Sequence, residues 1–358
     1  PAISIQSGGG WTFGSPSVLM MFYRAPGELE SELAEMDECM PHYYRVTNRH
    51  GQGAETIMRA EALFYQGHVT DAHIELERAY AQVGGNGQIN MALCCDFLSW
   101  RLSLHTDVER RYTFSERYAA LLCYHDASWI NIWSATSAYY HALRGETDKI
   151  PEIFSQHRLS DIHLLAPGKP MMEMIENQVY LAQGAYAKVV GRSAELLAAC
   201  EAMHYALVAL HIRIQTAAAY ARLGKPETAH TWLQKALSDA GPDGLVMPFA
   251  ENYSLLKPLL ARETRSAFTA RITAIGEAAQ ARGAERLRPA AFRALTAREF
   301  EIVELMVQRL SNREIAQKCY LSEGSVKQYV NQIYSKLHIE GDTRTKRAQL
   351  AALLHEKT

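Results

Sequence analysis

Four glycines set the frame for most of the chain. Gly67, Gly145, Gly184 and Gly224 each end an apolar run of helical period, and they lie 78, 39 and 40 residues apart. The first gap is twice 39, and Thr106 sits halfway across it, where the run ending at Leu104 stops. From about residue 54 to about 240 the chain therefore reads as roughly five helix–turn–helix units. Two units share a further mark. Ala72 and Ala79 follow Gly67 by five and twelve residues, and Ala229 and Ala236 follow Gly224 by the same steps. Small residues two turns apart let a neighbouring helix approach closely.

Helix pairs with small residues at the crossing resemble tetratricopeptide-type repeats, in a longer or degenerate form, since that family's period is about 34. The resemblance implies a stacked solenoid over residues 54–284, with an extended concave surface that senses a small molecule or binds a partner protein. Trp100, Tyr118, Tyr124, Trp129, Trp133, Tyr139, Tyr140, Tyr180, Tyr205 and Tyr220 gather on these helices. They are assigned to packing between helices ahead of a ligand groove. Residues 245–283 read as a terminal helical cap, and 285–294, with Arg286, Arg288, Pro289 and Arg293, as a linker.

Residues 1–53 are less regular. A turn is expected at Gly8–Gly10, a short buried helix over 18–23 with Ser17 as its cap, and a helix from Glu28 that Pro41 stops. No Lys-Ser/Thr follows the glycines of 51–53, so no Walker A sequence is present and no cofactor is expected.

The last 64 residues carry three helix starts. Thr296-x-x-Glu299 and Ser311-x-x-Glu314 are capping boxes, and Ser322 with Ser325 makes a third start. Val326, Val330, Ile333 and Leu337 then form an apolar stripe, with Ile302, Val303, Met306, Ile315 and Ala316 completing a small core. Gly324, Lys327, Gln328, Asn331 and Ser335 occupy the opposite face. Lys, Gln and Asn are side chains that can reach base edges in a major groove. Residues 295–358 hold ten Lys/Arg against eight Asp/Glu, so the pattern and not the charge carries this reading.

These motifs, Leu295-Thr-x-Arg-Glu299, Leu310 to Ala316, Leu321-Ser322, Ser325-Val-Lys327 and Ile333-x-x-Lys-Leu337, resemble the LuxR-type helix-turn-helix. The sequence of residues 295–358 reads as four helices at about 296–308, 311–319, 322–337 and 343–355. The resemblance implies a homodimer on double-stranded promoter DNA, and RNA polymerase as a further partner. Lys327, Gln328 and Asn331 match the family's base-reading positions, with a phosphate contact as an equal alternative reading of Lys327. Ser311, Asn312, Ser322, Ser325 and Lys336 are candidates for phosphate contacts, with helix capping alone as the second reading of Ser311 and Ser322. Arg309 stands where the family has Gly, Tyr329 where it has His, and the link over 339–347 is longer than usual. The turn at Arg309 is therefore expected to depart from the family's. Residues 13–55 resemble the middle of large ATP-dependent LuxR regulators of the maltose-activator type, whose nucleotide-binding half is absent from these residues.

The fold expected is thus all-α, and the function a sequence-specific transcription regulator. The alternative is a helical-repeat interaction scaffold with a C-terminal domain that reads nothing. No nucleophile elbow, metal triad, phosphate loop or paired carboxylates supports an enzyme. The six scattered cysteines include no C-x-x-C pair, and His68/His73 and His204/His211 lack metal-ligand spacing. Reduced thiols, the lack of an 18-residue apolar run and of a leader before Ile3 point to a cytoplasmic chain without a membrane partner. The 48 % apolar content allows a sizeable core.

Overall fold

The computed structural model describes residues 14–47, 49–84, 88–108, 110–123, 127–286, 290–292 and 294–355, and every long element among them is an α-helix. Leu19–Phe22 (α1) and Leu29–Thr47 (α2) come first. Five helix pairs follow. They are Ala54–Tyr65 with Val69–Gly84 (α3, α4), Ile89–Leu102 with Phe114–Leu122 (α5, α6), Ala127–Leu143 with Glu152–Ser155 (α7, α8), Lys169–Ala182 with Tyr186–Met203 (α9, α10) and Ala206–Arg222 with Pro226–Ala240 (α11, α12). Met247–Glu251, Tyr253–Leu260 and Ala267–Arg286 (α13 to α15) follow, then Ala297–Val307, Asn312–Cys319, Glu323–Lys336 and Thr343–His355 (α16 to α19). The chain folds as two compact units, Pro1–Ala279 and Gln280–Thr358.

The four spaced glycines are left-handed turns, with φ between 69° and 79°. At Gly184 the glycine N–H donates to Leu181 O at 3.2 Å and the Ala185 N–H to Tyr180 O at 2.8 Å. This pair of bonds uses up carbonyls that a helix end would otherwise strand, and only glycine takes that φ without strain. The same two bonds recur at Gly67, Gly145 and Gly224. The second pair has no such turn. There α5 ends in a run of bends after Leu102, and Thr113 opens α6 with a capping box. Ala72, Ala79, Ala229 and Ala236 are all fully buried.

The first helices of the pairs turn their inner faces to a filled centre. Arg101 of α5 donates from Nε and Nη2 to the two oxygens of Glu251 on α13, at 2.7 and 2.9 Å, and from Nη1 to the Tyr65 hydroxyl at 2.8 Å. The rings of Phe64, Tyr65, Phe97 and Tyr139 lie 4.7–5.5 Å from its guanidinium carbon. Tyr139 of α7 donates to Glu251 at 3.1 Å, and Tyr65 of α3 meets His211 of α11 at 3.2 Å. Burial, with Arg101 close by, holds the His211 imidazole well below its ordinary pKa and keeps it neutral. On α9, Gln178 donates to Asn252 at 3.0 Å and accepts from Gln215 of α11 at 3.1 Å.

This arrangement corrects four expectations. The open concave surface is absent among the described residues, because α1 and α13 pack between α3 and α11 and close the inner side. The stretch 245–283 is therefore no terminal cap: its first helix supplies Glu251 to the centre. Pro41 does not stop α2, which runs six residues further. Pro41 cannot donate to the Asp37 carbonyl, but Met36 and Met40 are buried on this helix, and that packing outweighs the lost bond. Finally, the third pair is lopsided, since α8 is only four residues long. Gly8–Gly10, Tyr124, Arg288, Pro289 and Arg293 lie outside the described residues.

Glu61 of α3 is buried and accepts the Leu19 N–H at 2.7 Å, which anchors α1. Burial pushes its carboxyl up to about 7, against the pull of that amide. A raised folded-state pKa favours the folded state below the unfolded value, and the benefit is lost as pH rises through the folded one. Stability should fall between about pH 4.5 and 7 on this account, and Glu61→Gln should flatten that slope in urea titrations run at several pH values.

Candidate nucleic-acid interface

The second unit is built from short-range signals. Thr296 accepts the Glu299 N–H at 3.2 Å while Glu299 accepts the Thr296 N–H at 2.7 Å, and Ser311 and Glu314 repeat the exchange at 3.3 and 2.7 Å. Ser322 accepts the Ser325 N–H at 3.0 Å and opens α18. Ile302, Val303, Ile315, Val326 and Ile333 are fully buried, with Met306 and Ala316 nearly so. Val330 and Leu337 are only partly covered. The core also takes Phe292, Leu295, Cys319, Tyr334, Ile339 and Leu350, which the periodicity did not single out. Phe292 meets Phe300 edge-on at 5.6 Å, so part of the expected linker belongs to this core.

Arg309 does keep the left-handed turn, with φ 65°. Its N–H donates to Met306 O at 3.0 Å and the Leu310 N–H to Leu305 O at 3.2 Å, the bonding seen at the glycine turns. The expectation of a different turn is thus corrected: the bonding of the turn outweighs the strain in the arginine backbone. Left-handed backbone costs an L-residue roughly 1 kcal/mol relative to glycine. Arg309→Gly should therefore raise the unfolding free energy of this unit by about 0.5–1 kcal/mol in chemical denaturation.

The three base-reading candidates share one exposed face of α18. Lys327 and Asn331 are four residues apart and Gln328 lies beside them, all exposed. The Gln328 and Asn331 amides have no hydrogen-bond partner among the described residues. Lys327 Nζ stands 3.7 Å from Glu323 Oε1, both side chains more than half exposed, an ion pair too solvated to hold the lysine in place.

The phosphate candidates divide. Ser311 and Asn312 start α17, and Ser322 and Ser325 start α18. The three serine hydroxyls are already engaged, Ser311 donating to Glu314 at 2.7 Å and Ser322 and Ser325 sharing one bond at 2.8 Å. Lys336 Nζ lies 2.8 Å from the Glu299 carboxylate, which is 3 % exposed, and so ties the end of α18 to the start of α16. Burial pulls Glu299 up, but Lys336 and the Thr296 amide and hydroxyl outweigh it and hold this carboxyl below its ordinary pKa. The bond therefore stabilises the unit at neutral pH and is lost on acidification. Arg313, beside Asn312, is an exposed guanidinium with no ion pair among the described residues. Tyr320, at the turn between α17 and α18, is 97 % exposed with φ 54°.

Residues 293–348 match the family described as bacterial regulatory proteins, luxR family. The second unit carries a LuxR-family helix-turn-helix domain. One relative, the transcriptional regulatory protein LnrK of Bacillus subtilis (strain 168), is 44 % identical over 50 residues, which is 14 % of this chain and 23 % of LnrK. The likeness thus spans under a quarter of that protein and is confined to a short segment. No solved structure matches the chain. In the LuxR-type domain the second helix is α17 and the third, bearing Lys327, Gln328 and Asn331, is α18. Among the described residues no group of three His, Cys, Asp or Glu side chains could hold a metal ion, and no helix is long and apolar enough to cross a membrane.

Proposed function

We propose that this chain is a sequence-specific, DNA-binding transcription regulator that places α18 in the major groove of promoter DNA. The observation that carries the reading is the exposed face of Lys327, Gln328 and Asn331 on the third helix of a LuxR-type domain, its two amides without hydrogen-bond partners among the described residues. Asn and Gln can each bond adenine through two hydrogen bonds, and Lys can reach a guanine edge or a phosphate. Ser311, Asn312, Ser322, Ser325 and Lys336 are proposed to set the register on the backbone, the serines through helix-start amides as much as hydroxyls. We place binding as a homodimer on two half-sites, contact with RNA polymerase, a cytoplasmic location and an effector, small molecule or protein, at the helix-pair unit. The small positive surplus of the domain makes nonspecific binding weak, so two domains are needed for occupancy.

The full chain should enrich a two-part, pseudo-palindromic site from a randomised duplex pool, and its affinity should fall steeply with salt. Recovery of no preferred sequence, with affinity indifferent to salt, would sink the reading and leave an interaction scaffold.

A further inference from the structure

A cavity of about 510 Å³ lies between α2, the end of α1 and the junction of α10 with α11. Its walls are Met21, Phe22, Met36, Met40, Tyr43 and Met203. Two aromatic rings and four thioethers make an apolar lining that is also polarisable and able to reshape around a guest. The volume falls within the range of pockets that hold one small molecule, roughly 300–1,000 Å³.

The cavity has an unbalanced charge. Arg24 lines it together with Glu32 and Glu35 and is bound to both, at 2.6 and 2.5 Å. One guanidinium against two carboxylates leaves one negative charge over, and His204 is the remaining titratable side chain there besides Tyr43 and Cys39. The net negative charge of the lining disfavours an anionic guest, while a cation is favoured by it and by the faces of Phe22 and Tyr43.

One wall can adapt. Pro41 follows Met40 in the middle of α2 and removes the bond that would brace the helix at Asp37. Across the cavity, His204 takes the left-handed conformation, φ 55°, where α10 ends.

We infer that this cavity binds a lipophilic cation. The inference gives the effector proposed above a place and a chemistry. Its test reads ligand binding alone, so a failure here leaves the DNA reading untouched.

The probes are tetraphenylphosphonium and tetraphenylborate, which share shape and apolar surface but differ in the sign of charge. Calorimetric titration of the full chain should show saturable, one-site binding of the cation and none of the anion. Cys39 is exposed and lines the cavity, whereas Cys123 is exposed elsewhere. Bound cation should slow N-ethylmaleimide alkylation at Cys39 and leave Cys123 unchanged, as read by peptide mass mapping. Cys39→Trp, at an exposed position, should block the mouth and weaken binding at least tenfold. Glu35→Gln should weaken it roughly three- to tenfold, the effect of one partly screened charge. Equal binding of the two probes, an unprotected Cys39, or wild-type affinity in Cys39→Trp would each overturn the assignment.

Discussion

Glu251→Gln should lower the unfolding free energy of the helix-pair unit by about 3–5 kcal/mol, the cost of leaving a buried charge without its partner. Both side chains of the pair are at most 1 % exposed. The guanidinium of Arg101 would keep its aromatic surroundings and the Tyr65 hydroxyl, but lose the carboxylate that binds it through two hydrogen bonds. The pair itself adds little net stability, because desolvating two ions offsets most of their attraction. Hence Arg101→Met combined with Glu251→Leu should recover most of the loss. All five tryptophans lie before residue 280, so tryptophan fluorescence in a urea titration reports the helix-pair unit without the LuxR-type domain. A loss under about 1 kcal/mol for the single variant would mean that water reaches the pair, and would contradict the filled centre.

The second large effect is on DNA. Asn331→Ala should weaken binding to the selected site by about 1–3 kcal/mol, or five- to 150-fold, and relax preference at one base pair. Lys327→Ala separates its two roles. A base contact would give a loss confined to the preferred sequence. A phosphate contact would give a uniform loss with the salt slope reduced by about 1. With both changes the footprint should vanish while far-ultraviolet circular dichroism stays as in the parent, since both residues are exposed and neither supports the core. Unchanged protection by the double variant would remove α18 as the reading element.

What could be read from the sequence was what is decided within one or two helical turns. Thr296 with Glu299, and Ser311 with Glu314, are three residues apart, so their hydrogen bonds follow from local geometry. The glycine turns are local in the same way. The unread features join distant residues. Arg101 and Glu251 are 150 positions apart, and Lys336 and Glu299 are 37 apart. No periodicity reports such pairs. Pro41 was misread because its intrinsic effect is local while the burial of Met36 and Met40 that overrides it is tertiary. Arg309 shows the same conflict: the left-handed turn forms with a residue that tolerates it poorly.

The closed centre also bears on how such a chain can evolve. An open stack of helix pairs can gain or lose a unit, because each added pair meets only its neighbours. Here Tyr65, Arg101, Tyr139 and His211 come from four different pairs and meet at one point. Duplicating or deleting a pair would pull those side chains apart and strand a buried charge. Residues within the pairs are free to drift, but their number is fixed by geometry, so relatives of this unit should differ in sequence and loop length long before they differ in copy number.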